Sequence, residues 1–114
     1  MAEALAITRN VRMSAKKVLP VARRIQGMNA RRAHSALTLS PRKSAHWLAK
    51  TLQSAMANAA NNKDLNPDAM VVKEAIVGQA KPWKRWMTRA RGGADTILKR
   101  TCHIRIVLTE KAED

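Results

Sequence analysis

The side chains able to do covalent or metal chemistry are few: Cys102, His34, His46 and His103. A structural zinc site needs several such donors at a recognisable spacing, and the chain holds neither a C-x-x-C pair nor an H-E-x-x-H run. A nucleophile needs a base within hydrogen-bond reach. Cys102 and His103 are neighbours in a strand-like run, so their side chains leave opposite faces and form no dyad. Cys102 therefore reads as a small buried hydrophobe. Acid–base chemistry fares no better. Glu74 and Asp95 could face each other across the base of a hairpin, yet each is more simply the local partner of a nearby Lys or Arg. The glycines of "RGGAD", Arg91 to Asp95, open no helix after a strand and suit a tight turn rather than a phosphate loop. No enzyme activity, metal or cofactor is expected.

The cationic side chains carry the signal. Twenty-two Lys and Arg stand against eight acids, a net charge of +14. Between Glu3 and Asp64 there are twelve Lys or Arg and no acid. Such a charge repels itself in a compact state and calls for an anionic partner. Each cation can pair with one phosphate and release counterions, and Arg can also clamp a phosphate or stack on a base. The densest stretch is "KPWKRWMTRARGGADTILKR", Lys81 to Arg100, with two tryptophans and seven basic residues. Trp83 and Trp86 suit stacking on unpaired bases, or packing back on their own hairpin. Trp47 suits the edge of the core.

The elements that must position these residues follow from periodicity. At 114 residues the chain is read as one domain. Twenty alanines and no Phe or Tyr leave a core of Val, Ile, Leu, Met and Ala. Residues 4–13 read as a strand with Leu5, Ile7, Val11 and Met13 on its buried side. Ser14 stands at an N-cap position before a helix with a Val18, Val21, Ala22 and Ile25 stripe, stopped at Gly27. Pro20 falls inside that helix and predicts a kink. Asn29 caps a second helix, Ala30 to Leu39, with Ala33, Ala36 and Leu37 inward. A long helix is expected from Ser40 as N-cap and Pro41 as first residue to Asn61-Asn62, burying Leu48, Leu52, Ala55, Met56 and Ala59.

"KDLNPD" is a turn, and "AMVVKEAIVGQ" and "TCHIRIVLT" are strands. On the latter, Cys102, Ile104, Ile106 and Leu108 share one face and Thr101, His103, Arg105 and Thr109 the other. Between these strands a hairpin arm, residues 79–97, is expected to reach ~30 Å from the body. The acidic tail "EKAED" is expected to fray.

One cysteine permits no internal disulfide, and the N-terminus shows no long apolar run. The expectation is a soluble intracellular protein with no membrane partner. No zinc finger, basic zipper or clear helix-turn-helix is present, nor the aromatic sheet of the common single-strand RNA-binding domain. Charge spread over several elements plus an arm suits wrapping by an irregularly folded RNA. Three rivals stand beside this reading. A free basic nucleic-acid-binding protein, of RNA-chaperone or nucleoid type, would bind many sequences. A ribonuclease would need a positioned acid–base pair. A membrane-active cationic protein would need bulky apolar residues where the long helix has mostly Ala.

The run "RARGGADTILKRTCHIRIVLTEK", Arg89 to Lys111, resembles the bacterial large-subunit ribosomal protein twenty-two family. The resemblance extends upstream through "VVKEAIV", "SAMANAANN", "SPRKSA" and "VRMSAKKV", and covers residues 4 to 111 in order. It implies an α+β fold: a small antiparallel three-stranded sheet packed with three helices, plus a long extended β-hairpin arm. It implies a non-enzymatic, cytoplasmic component of the ribosome that binds large-subunit ribosomal RNA and lies beside other ribosomal proteins. The family's hairpin lines the nascent-peptide exit tunnel. No homo-oligomer is expected.

By position, Arg12, Lys16 and Lys17 match the family's "VRxSxxK" stretch, and Lys84, Arg85, Arg89, Arg91, Lys99, Arg100 and His103 match its hairpin and return strand. With Arg9, Lys81, Trp83 and Trp86 these form the expected RNA-binding set. Met87, Thr88, Arg89, Ala90, Arg91, Gly92 and Gly93 form the expected tunnel-facing tip. Met87, Thr88, Gly93 and Thr96 depart from the family, which usually has Arg, Pro, Arg and Arg there. Trp83 and Trp86 stand where Leu and Phe are frequent. Pro20 replaces an aliphatic residue.

Overall fold

A computed structural model describes residues 3–110. Expectations about the N-terminal Met1-Ala2 and the tail beyond Glu110 lie outside the described residues. The elements run β1 (Glu3–Val11), α1 (Ala15–Ile25), α2 (Ala30–Leu39), α3 (Lys43–Asn62), β2 (Met70–Gln79), β3 (Trp83–Thr88), β4 (Ala94–Lys99) and β5 (Cys102–Glu110). The fold is α+β, as expected. An antiparallel sheet of order β1-β5-β2 carries the helices on one face, and β3 and β4 form a separate two-stranded ribbon.

The core sits between that sheet and the helices. Cys102, Ile104, Ile106 and Leu108 of β5 are fully buried, as their alternation predicts. α3 lies against β1 and β5, α1 against β2, and α2 against α3. Leu48, Leu52, Ala55 and Ala59 are buried along α3, and Met56 is half-buried. The hydroxyls of Thr8 and Thr51 meet at 2.7 Å, and Thr51 Oγ1 donates to the Trp47 carbonyl, so this buried polar contact is satisfied.

Three local expectations are corrected. The buried face of β1 is Ala4 and Ala6, with Leu5 44% and Ile7 47% exposed on the far side. A bulge at Arg9 and Asn10 then reverses the alternation and brings Val11 into the core. Asn10 takes φ 57° there, a conformation Asn tolerates better than most residues. Small residues face inward because α3 packs its own alanines against β1. On α2, Ala36 is exposed, and Ala30, Ala33 and Leu37 are buried. α3 begins at Lys43, not Pro41, with Arg42 at the N-cap. Ser40 instead ends α2, donating its N–H to the Leu37 carbonyl, and the link through Pro41 lets the chain reverse. Glu74 pairs with Val107 in the body sheet while Asp95 pairs with Met87 in the ribbon, so the two acids do not face each other.

Two other expectations hold. The Asn29 side chain accepts from the Arg31 N–H as a helix cap. Gly27 turns the chain after α1 at φ 84°, and its N–H donates to the Val72 carbonyl. α1 runs without a break across the exposed Pro20.

Candidate nucleic-acid interface

The arm grows out of β2 and β5. At its root the Ala80 N–H donates to the Thr101 carbonyl, and the buried Thr101 hydroxyl donates to the Lys81 carbonyl. Beyond this pair, Lys81 and Pro82 on the outgoing strand face Arg100 alone on the return, since Trp83 pairs with Lys99. That is a bulge, and Pro82 suits it because it has no N–H to give a ladder. The ribbon then pairs in register from Trp83 with Lys99 to Thr88 with Ala94. All six residues of β3 are exposed. The molecule measures 66 × 26 × 21 Å, with a radius of gyration of 17.3 Å. A compact chain of this length would have about 13 Å. The difference is the arm.

Strand alternation sorts the arm's side chains. Trp83, Arg85 and Met87 share one side with Lys99, Ile97 and Asp95, and Lys84, Trp86 and Thr88 share the other with Leu98, Thr96 and Ala94. The two tryptophans thus face opposite ways. Trp86 is 74% exposed and Trp83 46%. The tip is a tight turn in which the Arg89 N–H donates to the Gly93 carbonyl at 2.7 Å. Arg91 and Gly92 carry it in left-handed conformations, φ 60° and 74°. Arg89 pairs with Asp95 at 2.9 Å. The tip's charge is therefore partly neutralised, and Asp95 proves to be the local partner of an arginine.

Two further groupings lie on the body. Arg12, Lys17 and Arg100 line one concave site with Lys43, and the Arg12 guanidinium donates to the Arg100 carbonyl at 2.8 Å. Arg9 and His103 line a groove on the sheet's open face with Ile7, Ile76 and Arg105, and His103 Nδ1 accepts from the Asn10 N–H. Lys16 is exposed in the first turn of α1, and Lys81 at the root of the arm. The structure thus gathers the expected residues other than Lys16 into a shoulder site, an open-face groove and the arm.

Lys43 and Arg105 are additions that sequence reasoning missed. Arg105 was legible, because it alternates with His103 on the unburied face of β5. Lys43 was not, because only the late start of α3 brings it to the shoulder.

Electrostatics agree with an anionic partner. Among the described residues three ion pairs form, Arg31–Asp68, Lys73–Glu3 and Arg89–Asp95, all exposed. Lys73 bridges from β2 to Glu3 on β1. Its hydrogen bond and charge hold the Glu3 carboxyl below its usual range, and Glu3 holds the Lys73 ammonium above its own. The pair contributes between these two titrations, and is lost as acid protonates Glu3 or base discharges Lys73. Burial pushes the Cys102 thiol up, which keeps it protonated and unreactive. Trp47 is half-buried against the core, with the Lys50 ammonium 5.5 Å from its ring, as befits a core-edge residue. No cluster of metal-ligating side chains occurs among the described residues. No helix there is long and apolar enough to cross a membrane.

The profile of the family described as Ribosomal protein L22p/L17e matches residues 6–109. The chain belongs to the L22p/L17e family of ribosomal proteins. Its relatives include the large ribosomal subunit protein uL22 of Opitutus terrae, 49% identical over 108 residues, which cover 95% of this chain and 96% of that one. That of Akkermansia muciniphila is 44% identical over 109 residues, 96% of this chain and 97% of the relative. That of Thermus thermophilus is 45% identical over 109 residues, 96% of each. Family membership makes this chain a structural component of the large ribosomal subunit rather than an enzyme.

Proposed function

We propose that the protein organises large-subunit ribosomal RNA by two coordinated contacts. The body docks through Arg9, Arg12, Lys16, Lys17 and His103. The arm threads between RNA segments through Lys81, Trp83, Lys84, Arg85, Trp86, Arg89, Arg91, Lys99 and Arg100. Its tip, Met87 to Gly93, lines the nascent-peptide exit tunnel. One observation carries this reading: a cationic ribbon with every residue of its outgoing strand exposed has no protein core of its own. RNA against its two sides would supply the missing packing, by phosphate neutralisation and base stacking.

The test is binding to large-subunit ribosomal RNA against an unrelated structured RNA of equal length, across a salt series. The full chain is compared with a variant lacking residues 81–97. Preference for the ribosomal RNA that falls in the deletion is the expected result. Equal binding to both RNAs at every salt concentration would instead favour a free RNA chaperone or nucleoid protein.

A further inference from the structure

Four cations converge where the arm leaves the body. Arg12 follows the end of β1, Lys17 lies in the first turn of α1, Lys43 opens α3, and Arg100 follows the return strand of the arm. They line a single concavity of about 470 Å³, together with Met13, Ser14 and Leu98. No acid lines it. Four like charges brought from four separate segments repel one another. The Arg12 guanidinium is held by its bond to the Arg100 carbonyl. Ser14, at the N-cap of α1, makes no side-chain cap bond, and the first turn of that helix contains no acid. Its hydroxyl and the positive helix end are thus left to a ligand, in support of the cations.

We propose that this shoulder notch binds a backbone phosphate of an unpaired RNA segment, and that the same segment continues along the arm to stack a base on Trp86. The direction follows from the register. Leu98 lines the notch and, by strand alternation, lies on the same side of the ribbon as Thr96 and its partner Trp86. Thr96 is about 7 Å along the strand from Leu98. That places the ring one or two nucleotides from the bound phosphate. Trp83 faces the other way and does not take part. The notch also has a structural consequence. A phosphate shared by Arg12, Lys17, Lys43 and Arg100 neutralises the repulsion at the root and fixes the arm's angle on the body. The proposal rests on the RNA reading for its ligand and on the cation cluster for its place.

The test uses the full chain and two probes. First, inorganic pyrophosphate is titrated while backbone amide resonances are followed by NMR. Second, affinity for large-subunit ribosomal RNA is measured for Lys17→Gln/Lys43→Gln and for a control, Arg23→Gln/Arg32→Gln, which removes two exposed cations elsewhere. The expected result is saturable shifts centred on Ser14, Lys17 and Lys43. With them should come a loss of ribosomal RNA affinity of about tenfold or more in the notch variant, well beyond the control. All four substituted residues are exposed, so both variants should fold, and thermal melting checks this.

Pyrophosphate shifts spread evenly over the basic surface, with equal losses in both variants, would overturn the notch. They would leave the ribosomal RNA preference of the wild type, and so the proposed function, intact. Local pyrophosphate shifts without an excess RNA loss would overturn the RNA ligand and make the notch a site for free phosphate. Failure of the wild type to prefer ribosomal RNA would overturn the functional reading, while the pyrophosphate result would still decide the notch.

Discussion

Trp83 and Trp86 differ by three positions, and on a strand an odd difference puts them on opposite sides. Trp86 faces only Thr96 across the ribbon and is 74% exposed, so its ring is open to a base. Trp86→Ala should weaken binding to ribosomal RNA by about 1–3 kcal/mol, and Trp86→Phe should restore most of that. In a protein retaining Trp86 alone, with Trp47 and Trp83 replaced by Phe, fluorescence should be quenched as RNA is added. Unchanged emission at saturation would remove Trp86 from the interface. Cys102 makes the opposite case, a reactive group put out of reach. It is fully buried, and burial raises its pKa. A thiol-alkylating reagent should leave the native protein unlabelled at neutral pH and label it completely in denaturant, as mass spectrometry would show.

At the scale of elements, α1 offers the sharpest trade between stability and binding. Its first turn holds no acid and Ser14 makes no cap bond. Ser14→Asp should therefore stabilise the free protein by about 0.3–1 kcal/mol, through the helix dipole. The same charge placed among Arg12, Lys17 and Lys43 should weaken RNA binding, so melting and affinity move in opposite directions. A rise in both would mean that α1's start is unused by RNA.

The elements also show how much the sequence made legible. β5 read correctly because its alternation is clean and its helix-side face is buried along its length. β1 was misread because bulky Leu5 and Ile7 looked like core, whereas the close approach of α3 leaves room only for Ala4 and Ala6. The bulge at Arg9 and Asn10 has no hydrophobic signature at all. Likewise Ser40-Pro41 has the composition of a helix start, but the turn out of α2 takes those residues first. Of the interface, charge density and the arm were visible in sequence. The convergence of Lys43 with Arg12, Lys17 and Arg100 was not, because it depends on how α1, α3 and β4 meet.

For the molecule as a whole, arm and body should be energetically separable. β3 and β4 form their own sheet, and the buried residues of the described chain all lie in the body. A variant lacking residues 81–97 should keep a melting temperature within a few degrees of the full chain while losing RNA affinity. A collapse of melting would show that the ribbon supports the core. The net charge of +14 adds a second expectation. Raising salt from low ionic strength should raise the melting temperature of the free protein by screening self-repulsion, even as it weakens RNA binding.

The bulge at the arm's root carries a rule for how such an arm can change length. Adding one residue to each strand moves the tip outward by about 3.3 Å, but turns every side chain beyond it to the other side of the ribbon. Trp86 would then face away from the shoulder, and Trp83 toward it. Adding two residues to each strand moves the tip by about 7 Å and preserves every side. Insertions and deletions that keep both faces of the ribbon in use should therefore come in steps of two per strand. A single extra residue in one strand is accommodated at the root, where Lys81 and Pro82 already oppose Arg100 alone.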